Sequence, residues 1–403
     1  MKIGLLNPQF LDREGVQFKV GGVETYMVQL AHACLDAGWQ PRIFQPAAMN
    51  FETEYKRIPV QGVETDQSDN DPGTVLGEAA SIWAKGEDHA LIYCSDQLTP
   101  SEENAPNSVV IQHGIEWDLE TTNVLGESPQ DDEQLTSGKG LRQRIGRCLF
   151  PSRFDRWTDA IAKQAIARRR LRLFDHFRNV VCVDHNFVNW SRTVLERRPT
   201  CRIWVIPNAT QLASPEQMKL RQSGMDEARI IFARRFRWFR GSRMMLDVSE
   251  QLLRKYSDLQ ITFAGEGPDE ALLRERFADE PRVRVTKYQP DEALGVHLEH
   301  SIAIIPSLGS EGTTLAVAEA MSAGCAVVAT NIGGITNMVL DGYNGLLVMP
   351  ETDAVTNALM QVIEDVDLRK RLGRTGHVVA EQAFNLNNWG QRWLRILEEI
   401  ART

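Results

Sequence analysis

From residue 229 to residue 364 the chain alternates short apolar runs with amphipathic stretches, and this alternation constrains the fold more than any other feature. Runs of strand length lie at 229–233, 259–264, 283–288, 302–306, 326–329 and 346–348. Helical patterns separate most of them, at 244–256, 270–277, 291–300, 314–323 and 353–364. Strand, helix, strand with brief Gly and Pro punctuation predicts a parallel sheet covered on both faces. The first half follows the same grammar less regularly. Its expected strands are 2–6, 42–45, 91–94, 109–112, 180–183 and 202–206, with a helix at 23–37, while 67–73 and 126–140 read as polar loops. A chain of 403 residues exceeds what one hydrophobic core usually supports. Two doubly wound α/β domains in tandem are therefore predicted, meeting near Pro207-Asn208-Ala209. Ligands of such folds bind outside the carboxyl ends of the strands, which places the expected site in a cleft between the domains.

Charge narrows the partners. Forty-five Lys and Arg against 54 Asp and Glu leave −9, a poor balance for binding nucleic acid, so an anionic ligand must be held by local cations. Six scattered cysteines (Cys34, Cys94, Cys148, Cys182, Cys201, Cys325) form no Cys-x-x-Cys pair. Buried free thiols of a reducing compartment are expected rather than disulfides or a zinc site. The opening Met1-Lys2-Ile3-Gly4-Leu5-Leu6-Asn7-Pro8 lacks the apolar region and cleavage site of a signal peptide. The apolar stretch 320–340 is broken by Gly, Asn and Thr and does not read as a membrane span. A cytoplasmic location is expected.

The strongest local signal runs from Pro306 through Ser307, Glu311, Gly312, Thr313, Thr314 and Leu315 to Glu319. A strand ends at Pro306, a Gly-containing loop follows, and a helix opens near Thr313 or Thr314, both good N-caps. Free amides at such a helix start suit a diphosphate. Glu311 and Glu319 are eight residues apart, about 12 Å along a helix. That separation lets one carboxylate meet a sugar hydroxyl and the other a ribose diol, with phosphates between. An N-capped amphipathic helix with two surface glutamates gives the same spacing, and the pair alone does not separate the two readings.

After the strand ending at Ala233 come Arg234, Arg235, Phe236, Arg237, Trp238, Phe239, Arg240 and Gly241. Arg forks match phosphate oxygens, and a diphosphate needs about two positive charges where no metal supplies them. A solvated loop with Arg stacked on Trp238 and Phe239 is the plain alternative. Single-stranded nucleic acid is a weak rival, because the run is short and the chain acidic. Gly265-Glu266-Gly267 follows another strand, but Glu270 stands where a dinucleotide fingerprint needs its third glycine. Close backbone approach to a ligand is expected there, and NAD is not. Gly21 and Gly22 open the first helix, where they admit a phosphate or sugar or simply form a turn. His113-Gly114 ends an apolar strand on the cleft side, a structural histidine unless a site converges on it. Asp69-Asn70-Asp71 has an Asp-x-Asp form in a polar loop that no strand leads into. A solvated turn is the better reading, and no metal site and no cofactor are expected.

In this order and spacing the pieces are similar to the retaining glycosyltransferases of family 4, whose fold is called GT-B. The resemblance covers nearly the whole chain and is tightest from Ile230 to about Phe384. It is carried by Gly21-Gly22-Val23-Glu24, His113-Gly114, Val205-Ile206-Pro207-Asn208, Arg235 with Arg240-Gly241, and Gly265-Glu266-Gly267-Pro268. Glu311 with Glu319-Ala320-Met321-Ser322-Ala323-Gly324, and Gly333-Gly334 followed by Asp341-Gly342-Tyr343-Asn344-Gly345, complete it. It implies two facing Rossmann-like doubly wound domains around an interdomain cleft: 1–208 on the acceptor side, 209–385 binding a nucleotide-sugar, and a C-terminal helix within 386–403 crossing back. That helix carries Trp389, Trp393, Leu394 and Leu397 at helical spacing, which a plain core stripe explains equally well.

The resemblance also implies roles. Arg235 and Arg240 grip the diphosphate together with amides of Gly312, Thr313, Thr314 and Leu315; Glu319 holds the ribose and Glu311 the sugar hydroxyls. His113, Gly21 and Gly22 reach across from the first domain, Gly265 and Gly267 approach the donor, and Tyr288, Gln289 and Pro290 neighbour the base. The family usually has Lys where Arg240 stands, which keeps the charge, and Gly where Arg234 stands, which changes the backbone requirement of the loop. The implied reaction moves a hexose from a GDP- or UDP-linked donor to a hydroxyl of a glycan or lipid-linked acceptor in cell-surface polysaccharide synthesis. It proceeds with retention and without metal, the departing diphosphate acting as base. A sugar-nucleotide epimerase or hydrolase on the same architecture is the alternative.

The stretch 142–178 holds eleven Lys or Arg against three Asp, a local +8 in an acidic chain. Phe150, Phe154, Trp157 and Ile161 recur beside the cations at helical spacing. A basic amphipathic helix of this kind can lie on an anionic membrane surface, making the protein peripheral there. A stripe that packs into the domain with solvated arginines is the other reading.

Overall fold

The longest uninterrupted β-branched run of the first half, Val109-Val110-Ile111, is completely buried, as a strand covered on both faces must be. The computed structural model describes residues 1–19, 21–66, 71–114, 171–195, 200–221, 225–309 and 311–402. Asp69 and Asn70, the loop 126–140, Cys148 and the part of the basic stretch from 142 to 170 lie outside the described residues.

The strands form two sheets. The first contains β1 (Lys2–Leu6), β2 (Gln40–Ala47), β3 (Phe51–Tyr55), β4 (Ile58–Glu64), β5 (His89–Tyr93), β6 (Ser108–Gln112), β7 (Asn179–Cys182) and β8 (Arg202–Val205). The second contains β9 (Arg229–Ala233), β10 (Gln260–Ala264), β11 (Val283–Thr286), β12 (Ile302–Ile305), β13 (Ala326–Thr330) and β14 (Leu346–Val348). Their helices are α1 (Gly22–Asp36), α2 (Gly73–Ala84), α3 (Leu173–His176), α4 (His185–Val194), α5 (Pro215–Arg221), α6 (Met244–Lys255), α7 (Glu270–Arg276), α8 (Ala293–Leu298), α9 (Leu315–Ser322), α10 (Thr352–Glu364), α11 (Val366–Ala383) and α12 (Leu386–Ala401).

The second sheet is parallel throughout, in the order β11-β10-β9-β12-β13-β14. Chain direction across it reverses between β9 and β12, the switch point at which doubly wound sheets bind ligands. The first sheet runs β3-β4-β2-β1-β5-β6-β7-β8 and has its own switch point between β1 and β5. Only β3 is antiparallel among its described pairings. The β3–β4 hairpin was not anticipated, because its tip is Lys56-Arg57, both at positive φ (48° and 68°), instead of the Asn or Gly that marks such turns. The helix expected at 291–300 divides into a 3₁₀ turn, Pro290–Glu292, and α8. Gly73, expected in a loop, starts α2.

Each sheet has an apolar core on both faces. The last helix, α12, packs against α1 of the first sheet: Trp389, Trp393, Ile396, Leu397 and Ile400 join the core that holds Tyr26, Met27 and Leu30. The Trp393 indole donates to the Tyr26 hydroxyl at 2.7 Å. Elsewhere the halves meet where the His185 amide donates to Asn337 Oδ1 at 2.9 Å, and where Lys56 pairs with Asp291 at 3.0 Å. The described cysteines are free thiols, buried except for half-buried Cys201. Among the described residues no helix is long and apolar enough to cross a membrane.

Candidate active site

The carboxyl ends of both switch points open onto one cavity of about 790 Å³, within the range of small-molecule sites. From the first sheet its wall takes the segment after β1 (Asn7, Gln9, Lys19, Gly21, Gly22, Glu24), the loop after β5 (Asp96) and His113 after β6. From the second it takes Arg234, Arg235 and Arg240 after β9, Gly265 after β10, and Tyr288, Gln289 and Pro290 after β11. Glu311, Gly312, Thr313, Thr314, Leu315 and Glu319 follow β12. All the residues expected at the site thus line one space except Gly267. That glycine is pressed against the main chain of Phe236, where a Cβ would stand 2.4 Å from the carbonyl oxygen, and it supports the arginine loop from behind.

The wall carries five basic side chains (Lys19, Arg234, Arg235, Arg240, Lys287) and five acidic ones (Glu24, Asp96, Glu266, Glu311, Glu319). The cavity as a whole is therefore not cationic, and attraction for an anion is concentrated where three arginines follow β9. Arg234 sits in ordinary backbone geometry, and its amide donates to the Ala264 carbonyl at 2.9 Å. The side chain is 7% exposed, donates to Ser307 Oγ at 2.6 Å and forms an ion pair with Glu311. Arg240 pairs with the same carboxylate and stacks on Phe239 at 5.0 Å. Burial acts to raise the Glu311 pKa, but the charges of Arg240 and Arg234 and the Ser307 hydroxyl outweigh it and hold the group below its usual range. Glu319 has no such partner among the described residues, and burial pushes it up to about 7. On the opposite wall Glu24 is also raised by burial, against the fields of Lys19 and Arg235.

Burial lowers His113 to about 4, opposed only by a hydrogen bond to the Cys94 main chain, so the ring is neutral at physiological pH. Its Nε2 is buried without a partner among the described residues, as are Arg234 Nε and Asn208 Oδ1. All three residues line the cavity, and an unpaired buried polar atom is uncommon in a folded protein. Thr314 caps α9 through its backbone alone, and the helix start faces the cavity. Thr313 is not the N-cap: its hydroxyl donates to the Val183 carbonyl at 2.8 Å and accepts the Asn208 amide at 2.9 Å. The side chain joins the two halves of the molecule and leaves only its amide for a ligand. Sequence reasoning assigned no role to Glu24, Asn7, Lys19 or Asp96; their position at the β1/β5 switch point is the signal that finds them. Among the described residues no three His, Cys, Asp or Glu side chains cluster as metal ligands.

The family described as Glycosyl transferases group 1 matches residues 227–365, the segment that builds the arginine and glutamate wall. Over 380 residues the chain is 31% identical to the phosphatidyl-myo-inositol mannosyltransferase of Mycolicibacterium smegmatis, covering 92% of this chain and 86% of that protein. The chain belongs to the group 1 glycosyl transferases. As a solved structure, sucrose-phosphate synthase from Thermosynechococcus elongatus superposes on this glycosyltransferase with a TM-score of 0.69 at 17% identity, over 99% of this chain and 98% of that one. The Anabaena protein HepE in complex with UDP-glucose gives 0.65 at 17% identity, over 99% and 100%. Likenesses at this identity establish the architecture of the glycosyltransferase, two facing parallel-sheet domains of the GT-B type.

Proposed function

We propose that this glycosyltransferase moves a hexose from a GDP- or UDP-linked donor to a hydroxyl of a glycan or lipid-linked acceptor, with retention of anomeric configuration and without metal. The observation that carries this reading is the corner where Arg234, Arg240 and Ser307 surround Glu311 beside the open start of α9. It offers cations and amides for a diphosphate between two carboxylates, Glu311 for sugar hydroxyls and Glu319 for the ribose. Residues 209–385 hold the donor; residues 1–208, with α12 crossing back, present the acceptor. The lipid-linked acceptor draws on the mannosyltransferase above, which acts on phosphatidyl-myo-inositol.

In the reaction the acceptor oxygen bonds to the anomeric carbon on the face from which the diphosphate leaves. The carbon–oxygen bond to the diphosphate breaks, and a phosphate oxygen takes the acceptor proton. Arg235, Arg240 and the α9 amides stabilise the charge that develops on the leaving group. His113 Nε2, unprotonated and unpaired, is the atom that would accept a hydrogen bond from a sugar hydroxyl.

The test is a thermal-shift comparison of UDP, GDP, ADP and TDP, followed by transfer from the matching hexose donor and NMR assignment of the product anomer. A bound nucleoside diphosphate raises the melting temperature by mass action. No shift with any of the four rejects the donor site, and a product of inverted configuration rejects retention. Rapid donor turnover without acceptor favours an epimerase or hydrolase instead.

A further inference from the structure

The Glu311 carboxylate is oversubscribed at one oxygen. Arg234 Nη2, Arg240 Nη1 and Ser307 Oγ all point at Oε1, while Oε2 takes no donor among the described residues. A carboxylate oxygen offers about two lone pairs, so three donors compete for one atom, two of them like-charged guanidiniums. One of the three is exchangeable, and exposure identifies it. The Arg234 side chain is 7% exposed and also donates to Ser307; the Arg240 side chain is 25% exposed and lies over the Phe239 ring at the cavity wall. Withdrawing Arg234 strands a buried charge, which is costly, whereas the charge of part-exposed Arg240 keeps access to solvent when Arg234 alone pairs Glu311.

We infer that Arg234 is a positioning residue: it is the resident counter-ion of Glu311, and by holding that carboxylate it releases Arg240 to the diphosphate of an incoming donor. The inference rests on the nucleotide-sugar reading above. It also gives the departure at this position a function. A glycine here leaves Arg240 as the only described cation on Glu311, and that ion pair then competes with the donor for the same guanidinium. With Arg234 in place, Glu311 keeps Oε1 neutralised and Oε2 turned to the substrate, and the diphosphate relieves the repulsion between the two arginines.

The experiment is a set of UDP and GDP titrations by calorimetry on wild type and Arg234→Ala, Glu311→Gln, Arg240→Ala, R234A/E311Q and R234A/R240A. Arg234→Ala is expected to weaken the nucleotide about tenfold, the lower end for a charged hydrogen bond. Glu311→Gln alone binds at least as tightly as wild type, and R234A/E311Q returns to within about threefold of it, since the competing carboxylate is gone; additive losses are the reference for uncoupled residues. Arg240→Ala costs about tenfold or more in the wild-type background but adds less than about threefold to Arg234→Ala, where Arg240 is already held by Glu311. Arg234→Lys, which keeps the charge, recovers most of the affinity. If Arg234→Ala does not fold, Arg234→Gln carries the same comparisons. Unchanged affinity in Arg234→Ala, or a loss that Glu311→Gln does not reverse, overturns the inference while leaving the donor site intact. Wild-type protein that binds neither nucleotide overturns the donor reading and this inference with it.

Discussion

Gly312 meets His113 main chain to main chain across the cleft: a Cβ at Gly312 would stand 2.4 Å from the His113 carbonyl oxygen and 2.6 Å from Val183 Cγ2. Gly334 presses on the same loop from the other side, its amide donating to the Glu311 carbonyl at 2.8 Å. The loop that carries Glu311 is thus clamped between the two halves of the molecule. Gly312→Ala has no room and must displace either the loop or the first domain, an overpacking cost of about 1–3 kcal/mol. Transfer is expected to fall by more than tenfold, about 1.4 kcal/mol of barrier, in a protein that still unfolds cooperatively. Steady-state kinetics beside a denaturant melt decide this, and wild-type turnover in the variant rejects the clamp.

Thr313 makes a second prediction, for stability. Its hydroxyl is shared by the Val183 carbonyl and the Asn208 amide. Thr313→Val keeps the shape and leaves both groups unpaired in a buried contact, at a cost of about 1–3 kcal/mol. The denaturation midpoint should drop accordingly while nucleotide affinity changes little. The reverse pattern, a stable protein with weak nucleotide binding, indicates that the hydroxyl serves the ligand.

How much of this was legible in the sequence follows the physics of each element. The second sheet was read almost residue for residue, because buried parallel strands need unbroken apolar runs, and Ile230-Ile231-Phe232 or Val327-Val328-Ala329 can do little else. The β3–β4 hairpin was not, since Phe51–Tyr55 carries two glutamates on an exposed edge and its turn uses Lys56-Arg57. Within the site, Glu311, Glu319 and the arginines were visible through their spacing from strand ends. Glu24 and Asp96 were not, because single acidic residues in polar segments are common and only the β1/β5 switch point brings them together. Nor did the sequence show that Arg234 and Arg240 meet on one oxygen of Glu311, a relationship between side chains from two loops.

The charge on the diphosphate wall gives a third prediction. Loss of Arg235 or Arg240 as alanine should cost about 1.5–3 kcal/mol of nucleotide affinity, the range for charged hydrogen bonds. Glu311→Ala should cut turnover severely with little change of nucleotide affinity. If, as proposed, side chains and the start of α9 supply the positive charge, EDTA leaves initial rates almost unchanged. Activity lost to EDTA and restored by Mg²⁺ or Mn²⁺ contradicts this and returns attention to Asp69-Asn70-Asp71.

The basic stretch 142–178 gives a fourth, drawn from sequence alone. Eleven cations beside Phe150, Phe154, Trp157 and Ile161 should hold the protein on anionic lipid, each contributing about 1 kcal/mol near the surface. Sedimentation with vesicles containing phosphatidylglycerol should be salt-sensitive and lost when Arg168, Arg169, Arg170 and Arg172 become Glu. Equal sedimentation with neutral and anionic vesicles, or none with either at low salt, rejects it.

The fifth concerns pH and rests on Glu319, pushed up to about 7 by burial. In the unfolded chain a glutamate titrates at about 4.3. Between those values the folded protein keeps a proton that the unfolded chain has released, so the empty protein loses stability as pH rises through this window. The penalty is absent below it and complete above about 7. Glu319→Gln removes the titration and should flatten the contribution. Nucleotide affinity should show the opposite slope, because an ionised carboxylate accepts both ribose hydroxyls and binding favours that form. Wild-type affinity is therefore expected to rise with pH between about 6 and about 8, with little change in Glu319→Gln. Thermal midpoints with and without the nucleotide, measured across this range for both proteins, test the two slopes together. Parallel pH profiles for wild type and Glu319→Gln would show that Glu319 does not titrate there and does not hold the ribose as a carboxylate.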